Sequence, residues 1–288
     1  MRVAINGFGR IGRSVFRILN SRENISVVAI NDIADNDALA YLLKYDTVMG
    51  HFEDTVTLDG DVMKTSNNKI KMVAERDPSQ LPWNDLNVDV VIEATGIFRE
   101  RSQIQQHIDA GAKRVILTVP SKDEIDYTLV IGVNDGGLTA DHKIISNASC
   151  TTNCLAPMAK ILNDNFGIEY GVINTIHAYT NDQRLADVPH SDWRRSRAAA
   201  ENIIPTTTGA AKAVGMVLPE LKGKLDGLAA RVPVPDGSVV DLVIEVEKNV
   251  TVDDVHEVVR QASESAKMKN ILEYNVKPIV SSDIIGNP

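Results

Sequence analysis

The sequence predicts an α/β protein with two domains: a doubly wound parallel sheet over residues 1–149, and an α+β domain with a mostly antiparallel sheet over residues 150–288. Three observations predict this organisation. The chain has 288 residues, which is more than one ordinary core holds. Apolar strands alternate with helical patterns through the first half of the chain. After Ser149 the strands become longer, and the helices are expected on one side of them.

The first 32 residues predict a dinucleotide-binding unit. A short apolar strand runs into Gly7, Gly9 and Gly12, a helical pattern starts within the glycines, and a second strand ends at Asp32. In this Rossmann pattern the first glycine allows a tight turn, the second lets backbone approach a pyrophosphate, and the third lets the helix pack closely on the strand. Asp32 can accept hydrogen bonds from ribose hydroxyls and repels a 2′-phosphate, which favours NAD over NADP. The glycines by themselves would also suit a loop that merely turns tightly.

The alternation of strands and helices continues to the end of the first domain. The near-continuous apolar run over residues 88–93 is typical of a parallel strand that is buried on both faces. The remaining predicted elements are an antiparallel insertion at 55–72, a helix at 102–110, and strands at 114–119, 127–133 and 143–146.

The second domain begins with a predicted helix over residues 150–165. A further helix begins after Thr251, a good N-cap residue. The other predicted elements are strands at 171–178, 228–232 and 239–246, a long polar stretch at 179–202, and a helix at 209–217.

Composition excludes several classes of protein. With 30 Lys and Arg against 39 Asp and Glu, the net charge is −9, so broad binding to nucleic acid or to anionic membrane is not expected. No apolar run approaches the roughly 20 residues of a membrane span, and no signal peptide is recognised. The two cysteines, Cys150 and Cys154, cannot form a disulfide framework and fit a reducing compartment. We therefore expect a soluble cytoplasmic protein with no metal.

Cys150 and His177 are the candidate nucleophile and base. Cys150 falls at the start of a predicted helix, where free N–H groups and the helix dipole stabilise a thiolate. Cys154, one turn further along, is expected to be buried and inert. His177 ends an apolar strand, and a Cys–His pair keeps a thiolate available at neutral pH. The alternative interpretation is that both cysteines, and the histidine, are ordinary core residues.

A basic cluster in this acidic chain indicates an anion site. Residues 193–197 read WRRSR, and the TTTG of residues 206–209 opens a predicted helix. Guanidinium groups, hydroxyls and a helix N-terminus together suit phosphate, and Arg231 closes a strand nearby in the chain. A solvated charge cluster at a subunit contact would have the same spacing.

Four motifs carry a resemblance to one enzyme family. They are AINGFGRIGR at residues 4–13, YDT at 45–47, SNASCTTNC at 146–154 and IIPTTTGAAK at 203–212. On these motifs the chain resembles the phosphorylating glyceraldehyde-3-phosphate dehydrogenases over essentially its whole length. The resemblance implies a Rossmann NAD-binding domain over residues 1–149 and a catalytic domain over residues 150–288.

The resemblance also implies a reaction, the oxidation of D-glyceraldehyde 3-phosphate to 1,3-bisphosphoglycerate with NAD and inorganic phosphate in glycolysis and gluconeogenesis. Cys150 would attack the aldehyde to give a thiohemiacetal, and His177 would act as base. Loss of hydride to NAD would leave a thioester on Cys150, which phosphate would cleave. A thioester suits this task because it keeps the acyl group activated for transfer.

Family binding residues carry over by position. The residues implied for the substrate's own phosphate are Thr180 and Arg231. Those implied for the attacking phosphate are Ser149, Thr151, Arg195, Thr208 and Gly209. Those implied for NAD, beside the three glycines, are Arg10, Ile11, Asp32, Arg76 and Thr118. The polar stretch from Tyr179 matches a loop that reaches the neighbouring subunit's cofactor site, so a homotetramer is implied.

The chain also departs from the family pattern. Family members continue beyond Pro288 through a further strand and a C-terminal helix, and that stretch normally carries an asparagine hydrogen-bonded to the nicotinamide carboxamide. This chain is therefore interpreted as C-terminally incomplete. Asp236-Gly237 replaces a more usual Asn-Val, with a local effect expected. Two alternatives remain: erythrose-4-phosphate dehydrogenase, which would use the same cysteine and histidine, and a truncated NAD-binding fragment without turnover.

Overall fold

The computed structural model describes residues 1–287. These residues form two compact units. The first unit contains Met1–Leu129 and Gly137–Ala148, and the second contains Val130–Gly136 and the chain from Ser149 onward.

The first unit holds a nine-stranded sheet and three helices. The strands are β1 (Arg2–Asn6), β2 (Ser26–Asn31), β3 (Thr57–Asp59), β4 (Val62–Lys64), β5 (Lys69–Val73), β6 (Val90–Glu93), β7 (Arg114–Leu117), β8 (Tyr127–Thr128) and β9 (Ile144–Ser146). The helices are α1 (Arg10–Asn20), α2 (Asn36–Lys44) and α3 (Arg101–Asp109). The sheet order is β3-β4-β5-β2-β1-β6-β7-β9-β8. Across the sheet, the neighbouring strands in the run β5-β2-β1-β6-β7-β9-β8 pair in parallel, and those in the run β3-β4-β5 pair antiparallel.

Both faces of this sheet are covered, as a doubly wound fold requires. Successive residues of a strand point to opposite faces, and Ala4 and Ile5 accordingly belong to two different apolar clusters. Trp83 and Ile104 lie in the cluster of Ala4, and Phe16 lies in that of Ile5. The prediction of a doubly wound α/β domain is therefore confirmed.

Three details of the first domain differ from the sequence prediction. The strand predicted over 127–133 ends at Thr128, because the Val133 N–H bonds back to the Val130 carbonyl in a turn and Gly132 has a φ of +83°. The antiparallel insertion is present, but its last strand, β5, also pairs parallel with β2. Helix α2 was not predicted.

The second unit combines a four-stranded sheet with three helices. Its helices are α4 (Cys150–Phe166), α5 (Ala210–Val217) and α6 (Val252–Glu264), and its strands are β10 (Ile168–Ala178), β11 (Ile204–Thr207), β12 (Leu225–Val232) and β13 (Val239–Val246). The order is β11-β12-β10-β13. The two outer pairings are antiparallel and the central β12-β10 pairing is parallel, so the sheet is mixed. Among residues 1–287, no helix is long and apolar enough to cross a membrane.

Candidate active site

Cys150 is the first residue of helix α4, as predicted. The hydroxyl of Ser149 caps the helix by accepting the Thr152 N–H at 3.0 Å. The preceding residue, Ala148, has a φ of +55°, a left-handed conformation that costs a non-glycine residue about 1–2 kcal/mol. This turn aims the chain into the helix so that the Cys150 side chain stands exposed at the helix N-terminus.

His177 lies next to the end of strand β10 and reaches Cys150. The Cys150 Sγ and the His177 Nε2 are 3.3 Å apart, so the two candidate catalytic side chains meet. Strand β12 runs parallel beside β10, and its register places Arg231 directly opposite His177. One guanidinium nitrogen of Arg231 is 2.8 Å from His177 Nδ1 and donates to the Ala178 carbonyl at 2.9 Å. An N–H at Nδ1 would donate to that same carbonyl, 2.7 Å away, whereas a bare Nδ1 accepts from Arg231. In both cases Nε2 faces the thiol.

The surroundings of Cys150 favour its thiolate. The hydrogen bond with His177 is the largest influence and lowers the pKa of the Cys150 thiol, and the charge of the imidazole and hydrogen bonds with Thr151 act in the same direction. Desolvation opposes them, and the net direction is downward. A lowered pKa is the property that a nucleophilic thiol needs at neutral pH.

The prediction that Cys154 is buried was wrong. Cys154 lies one turn after Cys150 on the same exposed side of α4, because residues i and i+4 share a helix face. The buried side is formed instead by Leu155 and Ala156. The atoms around its sulfur still desolvate it, which raises the pKa of the Cys154 thiol, and the nearby Cys150 adds to that. The pKa values of the two thiols are therefore displaced in opposite directions, downward for Cys150 and upward for Cys154.

Arg195 is held by acidic and hydroxyl groups in this structure. Its guanidinium donates to the Thr206 hydroxyl at 3.1 and 2.8 Å, and it forms an ion pair with Asp182. Asp192 lies 3.6 Å away. Burial, and then the positive charge of Arg195, lower the pKa of Arg231, so the two guanidinium groups interact electrostatically. Arg195 of the predicted basic cluster thus lies within electrostatic reach of Arg231, and the carboxylate of Asp182 partly offsets the repulsion between the two guanidinium groups.

Most of the other predicted anion residues lie at the starts of two helices, and Thr180 follows a strand. Thr151 follows Cys150 in α4 and is buried. Gly209 precedes α5 and is exposed, and the Thr208 hydroxyl accepts the Ala210 N–H at 3.2 Å. The helix predicted over 209–217 is present as α5, and the preceding Thr206 and Thr207 end strand β11, which the sequence did not predict. Thr180 is exposed just after β10, and its N–H donates to the Gln183 side chain at 3.2 Å.

The glycine turn of the first unit fits the dinucleotide interpretation. A Cβ on Gly12 would lie 2.1 Å from the Gly7 carbonyl oxygen, and one on Gly7, which has a φ of +91°, would lie 2.6 Å from the Thr95 nitrogen. A Cβ on Gly9 would meet nothing within 4 Å, so the space above this residue is open to a ligand. Helix α1 begins at Arg10, directly after the turn, and its first N–H groups are available for a phosphate.

Asp32 stands at the exit of β2, and its position is fixed by backbone. One carboxylate oxygen accepts the Phe8 N–H at 2.7 Å and the other accepts the Ala34 N–H at 3.0 Å. Each oxygen keeps lone pairs for a ribose hydroxyl. The donor set of the turn and this carboxylate therefore fit NAD.

The remaining predicted cofactor residues differ in how firmly they are held. The Arg10 guanidinium pairs with Asp46 at 3.1 Å, and Ile11 is 54% exposed on α1. The Thr118 hydroxyl donates to the Glu93 carbonyl at 3.2 Å, where β7 ends beside β6. Arg76 is exposed in the segment after β5.

The comparisons with known proteins agree with this geometry. The model of the glyceraldehyde 3-phosphate dehydrogenase NAD binding domain matches residues 1–101, and that of the C-terminal domain matches residues 149–288. The chain belongs to the glyceraldehyde 3-phosphate dehydrogenase family. Glyceraldehyde-3-phosphate dehydrogenase from Streptomyces coelicolor is 56% identical over the whole chain and 86% of the relative. The enzyme of the same name from Borreliella burgdorferi is 57% identical over the whole chain and 87% of the relative. The predicted family, fold class and NAD cofactor are confirmed.

Sequence reasoning missed three features that the structure shows in these two units. Arg231 was assigned to phosphate and not placed against His177. Asp182 was not singled out, although it pairs with Arg195. A buried polar network around Glu93 was also missed, and the acid at the end of an otherwise apolar strand was the available signal.

Proposed function

We propose that this chain is an NAD-dependent, phosphorylating glyceraldehyde-3-phosphate dehydrogenase, which oxidises D-glyceraldehyde 3-phosphate to 1,3-bisphosphoglycerate. The observation that carries the proposal is the Cys150–His177 contact of 3.3 Å at the N-terminus of α4, in a chain of this family. NAD, when bound, supplies the hydride acceptor, and the glycine turn and Asp32 would hold it.

Cys150 and His177 carry out the covalent steps. The Cys150 thiolate forms a bond to the aldehyde carbon, and the carbonyl oxygen becomes the hydroxyl of a thiohemiacetal by taking the proton on His177 Nε2. His177 then removes that hydroxyl proton while the carbon loses hydride, which leaves a thioester. A phosphate oxygen attacks the thioester carbon, the carbon–sulfur bond breaks, and Cys150 leaves as a thiolate. The lowered pKa of Cys150 favours both its attack and its departure.

Two groups of residues bind phosphate in this proposal. Thr180 and Arg231 hold the phosphate of the substrate, and the attacking phosphate is bound by Ser149, Thr151, Arg195, Thr208 and Gly209. The electrostatic interaction of Arg231 with Arg195 supports this arrangement, because bound dianions relieve the repulsion between the two guanidinium groups. The cofactor is held by Arg10, Ile11, Asp32, Arg76 and Thr118 together with the three glycines.

The proposal also covers the setting of the enzyme. We assign the cofactor domain to residues 1–149 and the catalytic domain to residues 150–288. We further propose a cytoplasmic homotetramer that acts in glycolysis and gluconeogenesis, in which the polar stretch from Tyr179 contacts a neighbouring subunit.

The direct test is NADH formation by the purified chain with glyceraldehyde 3-phosphate, NAD and inorganic phosphate. We expect turnover that requires phosphate and that falls by at least 1,000-fold in Cys150→Ser, since nucleophilic catalysis is lost. Cys154→Ser is the matched control and should retain most of the activity. Erythrose 4-phosphate, offered in parallel, should be the poorer substrate. If a folded chain binds NAD and gives no turnover with either aldehyde, the proposed function is wrong.

A further inference from the structure

Three adjacent parallel strands of the first unit end in buried polar side chains that lie in one row. Strand β2 ends at Asn31, β1 at Asn6 and β6 at Glu93, and the register pairs Asn6 with each of the other two. Their exposures are 4%, 1% and 0%. Buried polar groups at a strand end require partners, and these three residues, called here the polar row, supply one another.

One end of the polar row is fixed by backbone. The Asn31 side-chain oxygen accepts the Glu75 N–H at 2.8 Å, and the Asn31 amide nitrogen donates to the Glu75 carbonyl at 2.8 Å. Asn31 therefore cannot flip. Its amide nitrogen also donates to the Asn6 oxygen at 2.7 Å, which turns the Asn6 amide nitrogen toward Glu93, at 2.6 Å.

The other end is fixed by an indole. Trp83 donates its only polar hydrogen to Nδ1 of His107 at 3.0 Å, and both side chains are fully buried. Because Nδ1 must accept, the ring proton of neutral His107 lies on Nε2, which faces Glu93 at 3.0 Å. Both ends of the network thus point their donors toward the same carboxylate.

Glu93 receives hydrogen bonds on both oxygens. One oxygen accepts from Asn6 and His107, and the other accepts the Thr95 N–H at 2.9 Å and the Thr95 hydroxyl. That hydroxyl is itself an acceptor from the Ile97 N–H, so its hydrogen is directed to Glu93. The site therefore suits an ionised carboxylate, which accepts on both oxygens. With a glutamine in its place, the side-chain NH₂ would face other hydrogen-bond donors whichever way the amide was turned.

Each member of the polar row directly precedes a loop: Gly7 follows Asn6, Asp32 follows Asn31, and the Thr95 loop follows Glu93. Gly7 and Asp32 belong to the proposed cofactor site, and so does Arg76, which follows the Glu75 that Asn31 holds. The Gly7 turn packs tightly on the Thr95 backbone, since a Cβ on Gly7 would lie 2.6 Å from the Thr95 nitrogen. A shift of one loop therefore transmits to the others.

We propose that Glu93 is a positioning residue for NAD, because the hydrogen bonds it accepts hold the β1, β2, β5 and β6 loops in the arrangement that binds the cofactor. Preorganised loops bind a ligand more tightly because less freedom is lost on binding. The inference rests on the proposed function, in which these loops bind NAD. It assigns Glu93 no contact with substrate.

The test compares NAD dissociation constants, measured by titration calorimetry, for the wild type, Glu93→Gln and Asn68→Asp. Asn68 is the matched control: it is also buried in the first unit, it accepts the Val27 N–H at 2.9 Å, and it donates to Asn20 at 2.8 Å. These bonds lie at the opposite, amino end of β2. Both variants should lower the melting temperature, but only Glu93→Gln should raise the NAD dissociation constant, by at least tenfold.

The outcomes separate the two proposals. If the wild type does not bind NAD, the proposed function fails. If it binds and Glu93→Gln binds equally well, or if Glu93→Gln and Asn68→Asp weaken binding equally, the positioning role is wrong. Should Glu93→Gln not fold, Trp83→Phe keeps an aromatic ring in the core but removes the indole N–H, which frees the His107 tautomer. A rise of at least threefold in its NAD dissociation constant supports the inference, and an unchanged constant overturns it.

Discussion

Glu93 in the first unit and Cys150 in the second are both reactive groups beside a histidine, but their surroundings differ. Glu93 is fully buried, and donors occupy both of its oxygens. Cys150 is exposed and receives its main stabilisation from one contact with His177. A carboxylate with all its acceptor sites filled is fixed in place and has a structural task. An exposed thiolate at a helix N-terminus, stabilised mainly by His177, is accessible and can form a new bond.

The largest effect on turnover is expected from a substitution of His177. In His177→Asn the base is lost and the thiolate loses its partner, so we expect phosphate-dependent turnover to fall by about 10²- to 10⁴-fold. Because the Cys150–His177 contact is exposed, the variant should unfold at nearly the wild-type denaturant concentration. Steady-state rates and urea titrations would measure both quantities. A large loss of stability would show that this pair is structural as well, which would break the contrast with Glu93.

The residues around Cys150 could be predicted from the sequence more fully than those around Glu93, for physical reasons. The glycine turn was predictable because its residues are close in sequence and each glycine has a local steric role. Cys150 and His177 were predictable as candidates, but their contact depends on how α4 packs at the end of β10. The polar row could not be read from apolar periodicity, because its members lie on three separate strands and meet only through sheet register.

The wrong predictions have local causes. The strand over 127–133 failed because Gly132 has a positive φ, which a pattern of apolar residues does not reveal. Cys154 was assigned to the apolar side of α4, yet it shares a helix face with the exposed Cys150. The contact of Arg231 with His177 was missed for a different reason. It depends on the parallel pairing of β10 with β12, whereas the β11-β12 and β10-β13 pairings of the same sheet are antiparallel.

The second prediction uses the two tryptophans as matched probes of the two units. Trp83 is fully buried and donates to His107, whereas Trp193 is 86% exposed. Replacing Trp83 by Phe leaves a buried acceptor without a donor and also removes part of a buried ring system, so we expect a loss of at least about 1–3 kcal/mol in the free energy of unfolding. Replacing Trp193 by Phe should change it by less than about 0.5 kcal/mol. Urea denaturation followed by circular dichroism measures both, and equal effects would contradict the buried network.

The smallest predicted effect is a displacement of pH midpoints between the two cysteines. The hydrogen bond with His177 lowers the pKa of Cys150, and desolvation raises that of Cys154. Only thiolates are alkylated, so the rate for each cysteine rises as the pH passes its pKa. In the wild type, Cys150 should therefore react with iodoacetamide at a pH below the midpoint of an ordinary thiol, and Cys154 only above it.

Single-cysteine variants make the two midpoints separable. Cys154→Ser reports Cys150 alone, and Cys150→Ser reports Cys154 alone, with mass spectrometry to follow the label. Adding His177→Asn to the first variant should move the Cys150 midpoint to higher pH, because the largest stabilising contact is gone while desolvation persists. Arg231 and Arg195 stay in place in that variant. An unchanged Cys150 midpoint would therefore show that these guanidinium groups and the helix N-terminus stabilise the thiolate, and that His177 does not.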